Sequence, residues 1–341
     1  MKYLLLGKSG LRVSELCLGT MTFGTEWGWG ADKDESRRIF NYFADQGGNF
    51  IDTANRYTEG TSEIFLGDFI KERGNRDEVV LATKYSLFTR PGRINDGGNH
   101  RKNMVQSVEG SLKRLGMDYI DVLYLHAWDG MTPVEEVMRG LDDLVRSGKV
   151  LYIGISDTPA WQISRANMLA ELRGWSPFIA MQAEFSLLQR ETERDLIPMA
   201  AELNIGVTAW APLAGGALTG KYLSDAVDSK RVPEGSKRRN DRSISITKEV
   251  VRIAQELNCT PAQVALQWTR RAQGQIIPVV GATKLSQIED SVGSTQVVLS
   301  DEHLAVLNAV SAIEMGFPHD FLASPTVDNV LYNGFRNRIV K

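Results

Sequence analysis

Four side chains in this 341-residue chain are of types that together can protonate an oxygen: Asp52, Tyr57, Lys84 and His126. Three of them close short apolar runs, Asn49-Phe50-Ile51-Asp52, Val79-Val80-Leu81-Ala82-Thr83-Lys84 and Asp121-Val122-Leu123-Tyr124-Leu125-His126, and Tyr57 follows five positions after Asp52. A lysine in apolar surroundings is costly unless paired, so Lys84 needs a carboxylate, and Asp52 at the end of the preceding run supplies one. A phenol ordinarily titrates near about 10. Donation near neutral pH asks for a stabilised anion, and lowering the phenol by roughly two to three units takes about 3–4 kcal/mol from the Lys84 charge and its surroundings. His126 would orient a carbonyl oxygen or share its proton. The set suits an oxygen on which negative charge develops, as in carbonyl reduction by hydride. Singly these residues read as structure, Lys84 and Asp52 as an ion pair and His126 as a core histidine. Their joint placement carries the chemistry.

Those ends can meet only if the runs are strands of one sheet. Eight runs read as strands, at residues 16–19, 49–52, 79–83, 120–125, 150–155, 179–183, 205–209 and 276–280. Most are continuously apolar, the pattern of parallel strands buried on both faces. Amphipathic helical stretches alternate with them, including 35–46, 103–115, 134–147 and 192–204; in the second, Met104, Val108, Ser111, Leu112 and Leu115 keep one face. Eight strand–helix units predict a (β/α)8 barrel of the TIM type over residues 1–341 as a single domain, with the active site at the C-terminal strand ends. The competing doubly wound sheet needs a Gly-rich turn straight after the first strand. Gly28-Trp29-Gly30-Ala31-Asp32-Lys33 lacks the third glycine and lies too far beyond Gly19.

Two segments fall outside the repeat. Residues 3–13, with the turn Gly7-Lys8-Ser9-Gly10, read as a β-hairpin closing the barrel floor, and residues 214–247 form a long loop between strands seven and eight, rich in Gly, Ser, Lys and Arg. Helices are expected to resume near Lys248 and Pro261. Within the loop, Gly215-Gly216-Ala217-Leu218-Thr219-Gly220-Lys221-Tyr222 has the glycine and lysine spacing of a nucleotide P-loop, but Tyr222 stands where Ser or Thr would hold magnesium. The segment suits a dinucleotide phosphate better than an NTP. A Schiff-base role for Lys84 is disfavoured too, because Asp52 holds the amine charged.

Lys and Arg number 39 against 42 Asp and Glu, a net charge of -3, so no nucleic acid or anionic membrane is expected as partner. The four histidines are scattered without metal-ligand spacing, and no metal site is expected. Two distant cysteines, Cys17 and Cys259, fit a reducing compartment, and no apolar stretch reaches the roughly 20 residues of a membrane span. The expected location is cytoplasmic.

Nearly the whole chain resembles the aldo-keto reductase superfamily, most closely the branch of the potassium channel β-subunits and their bacterial homologues. The resemblance rests on ordered pieces: Gly10-Leu11-Arg12-Val13-Ser14, Phe50-Ile51-Asp52-Thr53-Ala54 with Tyr57, Lys84, Leu125-His126, Gly154-Ile155-Ser156 and Met181-Gln182-Ala183-Glu184-Phe185. Further on come Trp210-Ala211-Pro212-Leu213-Ala214-Gly215-Gly216, Gly220-Lys221-Tyr222 and Gly281-Ala282-Thr283 with Gln287. It implies a (β/α)8 barrel using NADPH, with NADH as the lesser alternative, Tyr57 as general acid, Lys84 and Asp52 tuning it, and His126 positioning a small carbonyl substrate. It also implies cofactor contacts. Ser156 and Gln182 would hold the carboxamide, Trp210 would stack on the nicotinamide, and Ala211, Pro212, Leu213, Ala214 and Gly215 with Lys221 would track the pyrophosphate. Gln287, Asp290 and Ser291 would face the adenine, and Gly19, Thr20, Met21, Asp52, Gly281 and Thr283 would complete the cofactor wall. Asp157 departs from the usual Asn or Arg, and Asp290-Ser291 from a Glu-Asn pair. Cations for a 2′-phosphate are Lys284, Lys237, Arg238 and Arg239.

Phe23, Trp27, Trp29, Phe88 and Trp128 are expected to wall a pocket for an apolar or aromatic aldehyde or ketone, and the arginines of 90–101 to admit an anion. The branch resemblance leaves one other reading, a cofactor-sensing regulatory subunit of a membrane channel. The sequence is also compatible with an oligomer.

Overall fold

The computed structural model describes residues 1–223, 232 and 236–340. Eight parallel strands close a barrel in the order β10-β3-β4-β5-β6-β7-β8-β9, and β1 (Tyr3–Leu5) and β2 (Arg12–Ser14) form a separate antiparallel hairpin. The barrel strands are β3 (Cys17–Gly19), β4 (Phe50–Asp52), β5 (Val80–Tyr85), β6 (Ile120–Leu125), β7 (Val150–Ser156), β8 (Phe178–Glu184), β9 (Gly206–Trp210) and β10 (Ile276–Gly281). The expected (β/α)8 barrel, its hairpin and its eight strands are all present.

Alternation along the strands sorts side chains between two cores. Phe50, Val80, Ala82, Val122 and Tyr124 join Leu6 and Val13 of the hairpin region in the barrel interior, so the hairpin plugs the floor. Ile51 and Leu81 face outward to Phe40, Leu66 and Phe69 on the surrounding helices. Residue 7 must be glycine: its φ is +52°, and a Cβ would lie 2.2 Å from the Ile179 carbonyl oxygen at the floor. The same period carries the inward face on to Asp52, Lys84 and, one residue past β6, His126. Register places Asp52 beside Ala82 and Lys84 beside Tyr124.

Two boundaries differ from expectation. The expected helix over 192–204 is a short 3-10 turn, Glu191–Glu193, followed by the helix Leu196–Glu202. Pro198 has no N–H to give and fits only a first turn, so the helix starts just before it. The helix expected near Lys248 instead begins at Asp241, because Asn240 and Ser243 cap each other's backbone N–H groups. The long loop is correspondingly shorter, with residues 224–231 and 233–235 outside the described residues. No helix among the described residues is long and apolar enough to cross a membrane, and no three His, Cys, Asp or Glu there are grouped as metal ligands. Both cysteines are free thiols.

Candidate active site

Lys84 is buried at the inward end of β5 and spends all three ammonium protons. It donates to Asp52 Oδ2 at 2.6 Å, to the Thr53 carbonyl at 2.8 Å and to Tyr57 Oη at 3.0 Å. The other Asp52 oxygen, Oδ1, accepts from Gln182 Nε2 at 2.9 Å. Beneath them Gln182 Nε2 also meets Thr208 Oγ1 at 3.3 Å, and Thr208 Oγ1 lies 3.3 Å from Tyr124 Oη. Both Asp52 oxygens are thus held from the protein side, and the ammonium is turned upward to the phenol.

Tyr57 is placed by a turn that the sequence alone does not suggest. Thr58, Glu59 and Gly60 take left-handed φ values of 46°, 56° and 97°. At the two non-glycine positions this costs about 1 kcal/mol or more each, so the fold must over-determine them. It does: Thr58 Oγ1 donates to the Phe23 carbonyl at 2.6 Å, Trp27 Nε1 donates to Glu59 Oε1 at 3.0 Å, and Arg56 pairs with Glu59. The phenol ring meets the His126 ring edge-on, with centroids 5.9 Å apart.

The electrostatics differ from the expected depressed phenol. Burial raises the Tyr57 pKa above its ordinary value, and although Lys84 pulls it down, Asp52 answers that charge and Asp157 adds to the rise. Burial would lower Lys84, yet Asp52 and Tyr57 outweigh it and keep the ammonium charged. Tyr57 is therefore a neutral phenol, a donor as it stands. His126 is pushed down to about 3, by burial first and by Lys84 second, so its imidazole is neutral. Its Nδ1 is buried without a hydrogen-bond partner among the described residues.

One stability prediction arises from that imidazole. An unfolded histidine titrates near about 6.5, so between pH 6.5 and 3 the unfolded chain takes a proton that the fold refuses. Stability is then full above about pH 6.5 and falls as the pH drops, by about 2 kcal/mol at pH 5 from this group. Urea midpoints at pH 7 and pH 5 should converge in His126→Asn relative to the wild type. An unchanged gap would place the acid sensitivity elsewhere.

Comparison with known proteins agrees with this geometry. The family model described as the aldo/keto reductase family matches residues 15–312. The chain is 37% identical over 327 residues to norsolorinic acid reductase of Aspergillus flavus, covering 94% of this chain and 83% of that one. It is 35% identical over 346 residues to the aryl-alcohol dehydrogenase [NADP(+)] of Phanerodontia chrysosporium, covering 95% and 89%. Norsolorinic acid reductase B of Dothistroma septosporum is 38% identical over 333 residues, covering 94% and 84%.

The chain belongs to the aldo/keto reductase family. It is an oxidoreductase.

In this reductase the glycine turn after β9 has the shape of an anion cradle. Ala211 bends at φ 51°, and Ala214, Gly215 and Gly216 follow at 50°, 70° and 90°. A Cβ at Gly216 would lie 2.8 Å from Lys221 Nζ, and one at Gly215 3.3 Å from Arg238 Nη1. The left-handed φ values favour glycine at both positions, and the two cations rim the turn. Arg238 is braced by Glu184 at 2.5 Å, a pairing the sequence does not reveal because 54 residues separate them. A dinucleotide phosphate fits this turn.

The other predicted positions spread from the rim through the cradle turn to the helix Leu285–Gly293. Ser156 pairs in register with Gln182, and Gly19 with both Asp52 and Gly281, so these stand at the same rim. Thr20 is buried, donating to the Asp52 carbonyl at 2.9 Å, and Met21 is half-buried next to it. Trp210 Nε1 donates to Asp157 Oδ1 at 3.2 Å; burial raises that carboxyl's pKa while the indole bond opposes the rise. Pro212 and Leu213 lie within the cradle turn, and Gln287 accepts from the Thr283 N–H at 2.8 Å on the exposed side. Asp290 and Ser291 belong to helix packing: Asp290 accepts from Thr260 Oγ1 at 2.8 Å, and Ser291 is buried on the Gln287 carbonyl.

Of the expected pocket walls, Trp27, Trp29 and Phe88 gather about Arg56: its guanidinium lies 4.7 Å from the Phe88 ring and 6.0 Å from Trp27, and Trp27 leans on Trp29 at 5.8 Å. Trp128 stands by Asp157, donating its backbone N–H to that carbonyl at 3.4 Å. Phe23 is not on the rim at all. It is fully buried, edge-on to Phe69 at 6.3 Å, under the helices. The stretch 90–101 contributes to a separate cleft of about 480 Å³ with Lys102, and Arg90 there is taken up by Asp96.

Proposed function

We propose that this reductase converts aldehydes or ketones to alcohols with NADPH, Tyr57 giving the proton. The observation that carries the reading is the Lys84 ammonium shared between Asp52 and the phenol at the barrel's catalytic rim. A carbonyl oxygen seated between Tyr57 Oη and the His126 imidazole would receive a hydrogen bond from each, and His126, being neutral, can polarise it without surrendering charge. A bound reduced nicotinamide supplies the hydride that the carbonyl carbon takes up. As charge builds on oxygen, the phenolic proton moves to it, and Lys84 at 3.0 Å steadies the tyrosinate left behind. Solvent then returns the proton to Tyr57.

NADPH is favoured over NADH by the cations. Lys221 and Arg238 suit the pyrophosphate at the glycine turn, with Trp210, Ser156 and Gln182 toward the nicotinamide end. Lys284 precedes the helix Leu285–Gly293, whose first N–H is already taken by Glu35 Oε1 at 2.6 Å, so the Lys284 ammonium is the group offered to a 2′-phosphate there. Lys284→Ala should lower the ratio of kcat/KM for NADPH over NADH about tenfold or more, the worth of one charge-assisted hydrogen bond. An unchanged ratio would move the 2′-phosphate to another cation.

The aromatic gathering at Trp27, Trp29 and Phe88 favours aryl carbonyls, in keeping with relatives named for norsolorinic acid and for aryl alcohols. The reading takes residues 1–341 as one catalytic domain in the cytoplasm, where both thiols stay reduced. The test is loss of NADPH absorbance with a panel of aryl and alkyl aldehydes and ketones. Turnover with aryl members above alkyl ones is expected, and no turnover with any member would overturn it.

A further inference from the structure

Past Ser311 the chain leaves the barrel. Arg242 donates to the Ser311 carbonyl and Arg194 Nη2 to the Glu314 carbonyl, each at 2.8 Å, and among the described residues the hydrogen bonds of 316–340 stay within that segment. The segment is nonetheless built to fold. Its helix Pro325–Tyr332 has Ser324 as N-cap, proline in the first turn and left-handed Asn333 as C-cap. Eight residues are too few for a stable helix in water, and caps alone do not make up the difference; such a helix persists by burying an apolar face.

Here the apolar side chains lie outside. Phe317 is 86% exposed, Val330 75% and Val340 93%, and Phe321, Leu322, Leu331, Phe335 and Ile339 are each about half exposed or more. With a large aromatic carrying roughly 150–250 Å² and the aliphatics somewhat less, the uncovered apolar area approaches the ~800 Å² that each partner buries in a stable interface. A second uncovered stripe sits on the helix Ala160–Arg173. Trp161, Met168 and Leu172 are spaced seven and four apart, hence on one face, and are 66%, 56% and 75% exposed.

We propose that the C-terminal segment of one copy of this chain packs on the Trp161–Met168–Leu172 stripe of a second copy, reciprocally, about a two-fold axis. Two apolar surfaces on one chain, each without a cover, meet in that single exchange, which covers the stripe and the part of the segment that faces it, and a two-fold closes the assembly. On the face of the stripe Arg165 is already paired with Glu135 at 2.9 Å, and among the described residues Glu171 at its flank has no cation and Arg338 of the segment no carboxylate. Twofold repetition of the contact raises the buried area well into the range of stable dimers.

Sedimentation or light scattering of the full chain at micromolar concentration tests this. The expected mass is twice 37.9 kDa. Two variants at exposed positions, Phe321→Glu with Leu331→Glu on the segment and Met168→Glu with Leu172→Glu on the stripe, should each yield monomers with an unchanged circular dichroism spectrum. Mixed together they can re-form one of the two contacts, an intact segment on an intact stripe, so the mixture should associate more weakly than the wild type but more strongly than either variant alone. A monomeric wild type, which is also what a segment folded back on its own barrel would give, overturns the proposal. So does a stripe variant that stays dimeric, or a mixture that, across a concentration series, associates no better than either variant alone.

Discussion

Tyr57→Phe is expected to lower kcat for carbonyl reduction by about 10²–10⁴-fold, the usual worth of a positioned general acid, while NADPH binding measured by fluorescence stays within about twofold of the wild type. Phenylalanine keeps the ring that meets His126 at 5.9 Å and removes only the hydroxyl 3.0 Å from Lys84. Lys84 retains Asp52 and the Thr53 carbonyl, so no unpaired charge is created and the fold should be little affected. The wild-type pH profile separates this role from a structural one. Because burial raises the Tyr57 pKa, the phenol form that serves reduction is present throughout the neutral range, and reduction should be level there. Alcohol oxidation needs the tyrosinate and should rise with pH over the same range. A Phe variant that keeps full turnover, or a reduction rate that falls through pH 7–8, would sink the acid assignment.

The acid itself illustrates what a sequence can and cannot disclose. Strand-end positions were legible because alternation is local: a run ending Leu81-Ala82-Thr83-Lys84 already says that Lys84 shares a face with Ala82, and the barrel's register then brings it to Asp52. The hairpin at the floor was legible for the same reason. The direction of the Tyr57 shift was not, since it depends on how completely the rim is shut off from water and on a second carboxylate, Asp157, just past the end of β7. Phe23 was misplaced because loop membership says nothing about which way a ring turns, and here it turns under the helices. The bracing of Arg238 by Glu184 and the uncovered C-terminal face are likewise properties of assembled surfaces. Pro198 and the Asn240–Ser243 cap were different. Both signals stand in the sequence, but they are single-residue signals that apolar periodicity does not contain.

Lys84→Met should be the most damaging single change to both stability and turnover. The substitution keeps the apolar stem and deletes the charge, leaving Asp52 Oδ2 buried without the partner it holds at 2.6 Å. An ion pair broken from one side in the interior costs about 3–5 kcal/mol, because the remaining charge has neither water nor a counterion. The loss should show as a urea midpoint well below the wild type at pH 7. It should shrink as the pH falls, since the deprived carboxylate gains a folded-state pKa above its unfolded one and is neutralised by a proton first in the fold. Adding Asp52→Asn should restore most of the stability at pH 7, because the amide oxygen can keep the Gln182 contact and the side chain carries no charge. Turnover behaves differently. With no ammonium beside the phenol, the tyrosinate formed in reduction and required for oxidation loses the cation that donates to it, so both directions stay depressed by about 10²-fold or more in the double variant. The oxidation profile should also move to higher pH. If stability and turnover recovered together, Lys84 would be a structural residue and its contact with Tyr57 incidental; recovery of the first without the second assigns the charge to the chemistry.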